Sequence, residues 1–166
     1  MSHSPEITFE MRNTRLSFDP ERSILVCRQS GGSGKKLWAK KIFDIGRIEE
    51  IIEDALCYYL AGASGETSGR LLALDKKSGN TAWFIAGKSV LQVLYQGHLF
   101  SIFIDDADAY YLVKVGLERG EVIWHHRVGS DLSEYHFAGD RITLDYSGGD
   151  RETLSIQNGS VVSKTR

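Results

Sequence analysis

Few of the residues that usually mark a function are plentiful here. The chain has 166 residues, two cysteines and two prolines. Cys27 and Cys57 sit in apolar, strand-like runs and form no Cys-x-x-Cys pair. That spacing excludes a disulfide-built mini-domain and a four-cysteine zinc site. Two buried, reduced thiols in a cytoplasmic protein are expected. No run reaches the ~18 to 20 apolar residues of a membrane span. The stretch Met1 to Glu6 has no apolar core behind a basic start, so no secretory signal is expected. A net charge of −2 carries no global signal for nucleic acid. No Pro/Gly/Ser linker divides the chain, so one domain is expected over residues 1–166.

Catalytic constellations are equally scarce. Ser30-Gly31-Gly32-Ser33-Gly34-Lys35 looks like a phosphate loop, but Lys36 stands where Ser or Thr is required. Trp38 then opens a strand, so no helix N-terminus supplies oriented N–H groups. The histidines are His3, His98, His125, His126 and His136. His125 and His126 are neighbours in a strand and point to opposite faces, so one strand cannot offer both to a metal. No serine lies in a nucleophile elbow, and no carboxylate pair stands out for acid-base work. Neither a catalytic residue nor a metal site nor a cofactor is expected.

What is present is a recurring hairpin. Ala73-Leu74-Asp75-Lys76-Lys77-Ser78-Gly79-Asn80-Thr81-Ala82-Trp83 reads as strand, tight turn, strand. Gly79 suits a turn position with positive φ. Gly34 precedes Trp38 and Gly120 precedes Trp124 at the same spacing, so all three tryptophans share one relation to a glycine. A fourth copy around Gly159 has Ser163 in the place of Trp. The four glycines recur at intervals near forty residues, a period of solenoids, propellers and arrays.

The hairpin resembles the repeat of the pyrroloquinoline-quinone (PQQ) type β-propellers, Ala-x-Asp-x-x-(Thr/Ser)-Gly-x-x-x-Trp. Ala73, Asp75, Ser78, Gly79 and Trp83 match it throughout. The Gly120 copy keeps Gly and Trp but has Lys114 and Gly116 earlier, and the Gly34 copy keeps Ser33, Gly and Trp. The resemblance implies a fold in which the Trp docks a blade on its neighbour. It brings no quinoprotein activity, since the cofactor and metal ligands have no recognisable counterpart here.

The expected fold class is therefore all-β, with four-stranded antiparallel blade-like repeats of about forty residues. The units run approximately over 7–44, 45–86, 87–128 and 129–166, as a small four-bladed ring or an open half β-propeller. Residues 46–54 are ambiguous. Ile48, Ile51, Ile52 and Leu56 fit a helical face, but the repeat requires a strand there, and strand is the reading adopted. In the third unit strands are expected near 87–96, 98–104, 110–116 and 121–127.

One charged cluster stands apart. Asp105, Asp106 and Asp108 follow a buried run and precede Tyr110 and Tyr111. The Gly and Glu of an EF-hand loop are missing, so calcium is not expected. Glu49, Glu50 and Glu53 form a second acidic stretch. Acidic and aromatic residues together suit an interface with a basic protein. The expected function is a non-catalytic protein-binding module, of the kind an immunity protein uses to neutralise a basic bacterial toxin such as a nuclease. The alternative is a small-ligand binder or enzyme using the propeller mouth. No direct nucleic-acid or membrane partner is expected.

Overall fold

A computed structural model describes residues 5–166; residues 1–4, with His3 and part of the stretch read for an export signal, lie outside it. The described residues form sixteen strands and no helix. The first sheet holds β1 (Ile7–Glu10), β2 (Thr14–Asp19), β3 (Ile24–Gln29) and β4 (Lys36–Lys41). The second holds β5 (Arg47–Glu53), β6 (Cys57–Ala63), β7 (Gly69–Asp75) and β8 (Thr81–Ala86). The third holds β9 (Lys88–Tyr95), β10 (His98–Ile104), β11 (Tyr110–Gly116) and β12 (Val122–Val128). The fourth holds β13 (Leu132–Ala138), β14 (Arg141–Tyr146), β15 (Arg151–Ser155) and β16 (Val161–Thr165). Within each sheet every strand pairs antiparallel with its sequence neighbours, so each sheet is a simple meander.

Residues 47–53 are strand, and the helical signal there has a physical origin. A β-bulge between Ile48 and Glu50 inserts one residue into the pairing of β5 with β6. It changes the spacing of the buried Ile48 and Ile51 from two to three. The continuous apolar runs are also explained. In β6, Tyr58 packs toward the first sheet and Tyr59 toward the third, because the sheet is covered on both faces.

The repeated hairpin is a docking device. Asp75 Oδ1 accepts hydrogen bonds from the backbone N–H of Lys77 (3.0 Å) and Ser78 (2.9 Å) and from Ser78 Oγ (3.1 Å), which shapes the turn. Gly79 has φ of 77°, and a Cβ there would lie 2.5 Å from Cε3 of Trp38. Glycine is needed both for the backbone and for the ring that rests on it. Trp38 Nε1 donates to the Lys76 carbonyl at 2.8 Å. The next two junctions repeat this, with Trp83 Nε1 on Leu117 O at 2.7 Å and Trp124 Nε1 on Ile156 O at 2.8 Å. Each indole thus seats one blade on the turn of the next.

Three apolar clusters fill the three junctions between successive sheets, and no fourth cluster among the described residues joins the last sheet to the first. Nothing lies within 4 Å of a Cβ built on Gly34, where the other turns hold an indole. The four blades form an open arc.

The two ends of the arc differ from its interior in chemistry. The row that faces the following blade reads Leu16-Cys27-Trp38, Tyr59-Ala73-Trp83 and Phe100-Lys114-Trp124 in the first three sheets. In the fourth it reads Thr143-Thr153-Ser163. The row that receives the preceding blade is Tyr58-Leu74, Leu99-Val115 and Ile142-Leu154, but Arg15-Arg28 in the first sheet. Polar outer faces on terminal repeats keep a repeat array soluble.

Candidate protein-binding site

The acidic tip is the connection between β10 and β11. Asp105 is largely occupied by the turn: its Oδ1 accepts the N–H of Ala107 and of Ala109, each at 2.9 Å. Asp108 has φ of 57°, the left-handed conformation that Asp tolerates better than most residues. Asp106 and Asp108 are exposed, and the only described contact of Asp106 is a long hydrogen bond (3.4 Å) from Thr67 Oγ1. No cation among the described residues forms an ion pair with Asp105, Asp106 or Asp108.

Tyr110 and Tyr111 do not act together. Successive side chains on β11 point to opposite faces. Tyr110 packs into the junction with the fourth sheet, whereas Tyr111 faces the second and meets His125 edge-on at 5.6 Å. Tyr111 and Asp105 line a groove of about 340 Å³ with Ile85, Phe103, Val122 and His125. A second hollow of about 400 Å³ shares Phe103, Asp105 and Tyr111 and continues past Asp106 toward Thr67. The result is an apolar groove between the second and third blades with an acidic lip. Ile85, Phe103, Val122 and His125 were not legible as site residues, because they come from three strands. Val122, an apolar residue 47% exposed on the edge strand β12, has a position that hints at a surface role.

The second acidic stretch lies apart and is tied into the scaffold. Arg47 pairs with Ala63 at one end of β5, and Glu53 with Tyr58 at the other, so Glu49 and Glu53 stand near opposite ends. Glu49 is bound by Arg47, with Nη2 at 2.5 Å. Glu50 Oε1 accepts the N–H of Gln92 at 2.9 Å, which links the second and third blades. Glu53 accepts the N–H of Arg12 at 3.1 Å and faces Lys76 Nζ at 3.5 Å, which links the first and second. Glu50 and Glu53 hold neighbouring blades together, whereas Glu49 is exposed and paired within its own strand.

Other reactive groups are committed. Cys27 and Cys57 are free and lie on junctions either side of the second sheet. Burial pushes both thiols up, so neither is a ready nucleophile. His126 Nε2 meets Glu152 Oε1 at 2.5 Å across the third junction, while His125 points the other way. Glu134, His136 and Asp145 bring three ligand atoms within 4.8 Å of one another on the open face of the fourth blade. Asp145 already holds Arg151 Nε at 2.6 Å and His136 Nε2 at 2.8 Å. The Arg151 hydrogen bond first, and then His136, keep its carboxyl below the usual range.

No family model matches the sequence. No curated protein matches it either. The fold defines the class: an array of four four-stranded antiparallel blades of the β-propeller kind. Among solved structures, the chain is similar to BamB from Moraxella catarrhalis, with 14% identity and a TM-score of 0.65 over 99% of this chain and 51% of that one. It is similar to a quinohemoprotein alcohol dehydrogenase from Pseudomonas putida at 10% identity and a TM-score of 0.66, over 96% of this chain and 33% of that one. It is also similar to the computationally designed Ika4 protein at 10% identity and a TM-score of 0.66, over 94% of both chains. The chain spans about half the length of BamB and a third of the dehydrogenase. Identities this low establish the fold alone.

Proposed function

We propose that this chain is a non-catalytic protein-binding module whose acidic lip and apolar groove engage a basic protein in the cytoplasm. The observation that carries the reading is the isolation of the tip. Asp106 and Asp108 repel each other and Asp105 without an internal counter-ion, whereas Glu49, Glu53, Asp145 and Glu152 all have cations beside them. A cationic partner would relieve that repulsion, and an apolar anchor in the groove would add desolvated contact. An immunity protein that neutralises a basic toxin, for example a nuclease, fits this chemistry. The reading as a ligand site at the propeller mouth has weaker support, because Glu50 and Glu53 bridge blades instead of lining an open cavity.

The test uses the tagged protein as bait beside a variant with Asp105, Asp106 and Asp108 changed to Asn. The expected result is one stoichiometric basic protein retained by the wild type and lost by the variant. Hydrogen exchange on that complex should protect the region of Phe103 to Tyr111. Retention of a metabolite with no protein would instead favour the ligand reading.

A further inference from the structure

We propose that the groove between the second and third blades is a socket for one arginine side chain of the partner protein. The inference rests on the reading of the acidic tip as a protein-binding lip, and adds what enters beneath it. The walls of the groove differ from its rim. Ile85, Val113 and Val122 are aliphatic, Phe103, Tyr111 and His125 supply rings, and Asp105 is the one carboxylate. Among the described residues no lysine or arginine lines this hollow or the one that continues past Asp106. Arg127 pairs across the ladder with Tyr111 and so stands near the rim, one cation against three aspartates. An apolar slot that ends in a carboxylate fits a long aliphatic stem carrying a cation. Its volume of about 340 Å³ lies at the low end of the ~300 to 1,000 Å³ of small-ligand sites, so it admits one side chain and not a helix.

Arginine suits the slot better than lysine. Phe103 and Tyr111 are cross-strand partners on one face. Tyr111 meets His125 at 83° with centroids 5.6 Å apart, so these two rings form a corner. A guanidinium stacks on aromatic rings, whereas an ammonium is compact and strongly hydrated. The carboxylate at the rim is held in place before any partner arrives. Asp105 Oδ1 accepts the N–H groups of Ala107 and Ala109, each at 2.9 Å. Its Oδ2 makes no hydrogen bond among the described residues, and the exposed Asp106 beside it offers further acceptors to a planar fork of donors. An arginine stem laid in the groove also covers Val122, which is otherwise 47% exposed.

Solution NMR tests the socket with a capped tripeptide, acetyl-Ala-Arg-Ala-amide, beside the same peptide with lysine or norleucine at its centre. The titration is run at about pH 8, where histidine is ordinarily neutral. The arginine peptide should shift the methyl resonances of Ile85, Val113 and Val122 saturably. The lysine peptide should bind roughly tenfold more weakly, because it loses the fork, and the norleucine peptide more weakly still. Val122→Trp fills the slot from an exposed edge strand, leaves the three aspartates in place, and should abolish the shifts. Asp105→Asn keeps an acceptor for the turn and should weaken the arginine peptide roughly tenfold. No shift with the arginine peptide at its solubility limit overturns the proposal, as do equal affinities for the three peptides. Should Val122→Trp not fold, Asp105→Asn decides. The socket and the reading beneath it fail separately. If a basic protein captured by wild type is lost by the triple Asn variant but held normally by Val122→Trp, the lip recruits it and the socket is wrong. If no protein is captured but the arginine peptide binds in the groove, the socket stands and the reading of the tip as a protein-binding lip falls.

Discussion

Trp83 shows how one side chain serves two levels of the structure. Its ring covers Gly120, its Nε1 closes a backbone carbonyl of the third blade, and it stacks near Tyr59 at 6.0 Å. Trp83→Ala should therefore lower unfolding free energy in urea by ~3 to 5 kcal/mol. A midpoint unchanged from wild type would contradict the docking role. Lys114 occupies the alanine position of the motif, yet it is only 7% exposed. It donates to Ile156 O at 3.1 Å, and burial lowers its pKa. That carbonyl also accepts Trp124 Nε1, so it stays satisfied without the lysine. Lys114→Met is expected to leave stability within ~1 kcal/mol of wild type or to raise it. A loss of several kcal/mol would show that the ammonium is a true structural contact. Asp54 gives a pH signature. Burial opposes its ionisation, but the Tyr59 hydroxyl (2.7 Å) and the N–H groups of Cys57 and Leu56 (each 2.8 Å) outweigh it. The folded pKa is depressed, so this stability is present above the unfolded value near ~3.9 and is lost as pH falls through the folded one. Acid unfolding of Asp54→Asn should be less steep over that range than that of wild type.

At the scale of the hairpin, the same residue type carries different loads. Gly79→Ala meets both a left-handed backbone and the Trp38 ring, whereas Gly34→Ala meets the backbone alone in open space. The Gly34 change should cost ~1 to 2 kcal/mol and the Gly79 change clearly more, measured as a difference in thermal midpoint. Equal shifts would mean that the ring does not rest on the turn. This hairpin is also where the sequence was most informative. The spacing of Gly and Trp recurs because one geometry recurs, and strands expected at 98–104 and 110–116 are β10 and β11. The ambiguity at 46–54 came from a bulge, which mimics a helical period locally and is resolved only by its pairing partner. The site was less legible. Asp105, Asp106 and Asp108 share the exposed tip, but alternation separates Tyr110 from Tyr111. Arg47 lies two residues from Glu49 on the same strand, but Lys76 reaches Glu53 only through folding, from the turn after β7. The groove beneath the lip combines β8, β10 and β12, a set no local window contains.

For the whole molecule, the arc sets a division of labour. Apolar rows and indoles hold blade to blade, polar rows finish the ends, and the lip above the groove of the second junction is left with unbalanced negative charge. The central claim is that this charge recruits a basic protein. It is tested most directly by association kinetics of the captured partner on wild type and on the triple Asp105, Asp106, Asp108→Asn variant, across a range of salt. Wild type should associate roughly tenfold or more faster at low salt, and its advantage should vanish as the Debye length shrinks below ~8 Å. The variant should show a nearly flat salt dependence while melting like wild type. Equal association rates for the two proteins at low salt would contradict the account.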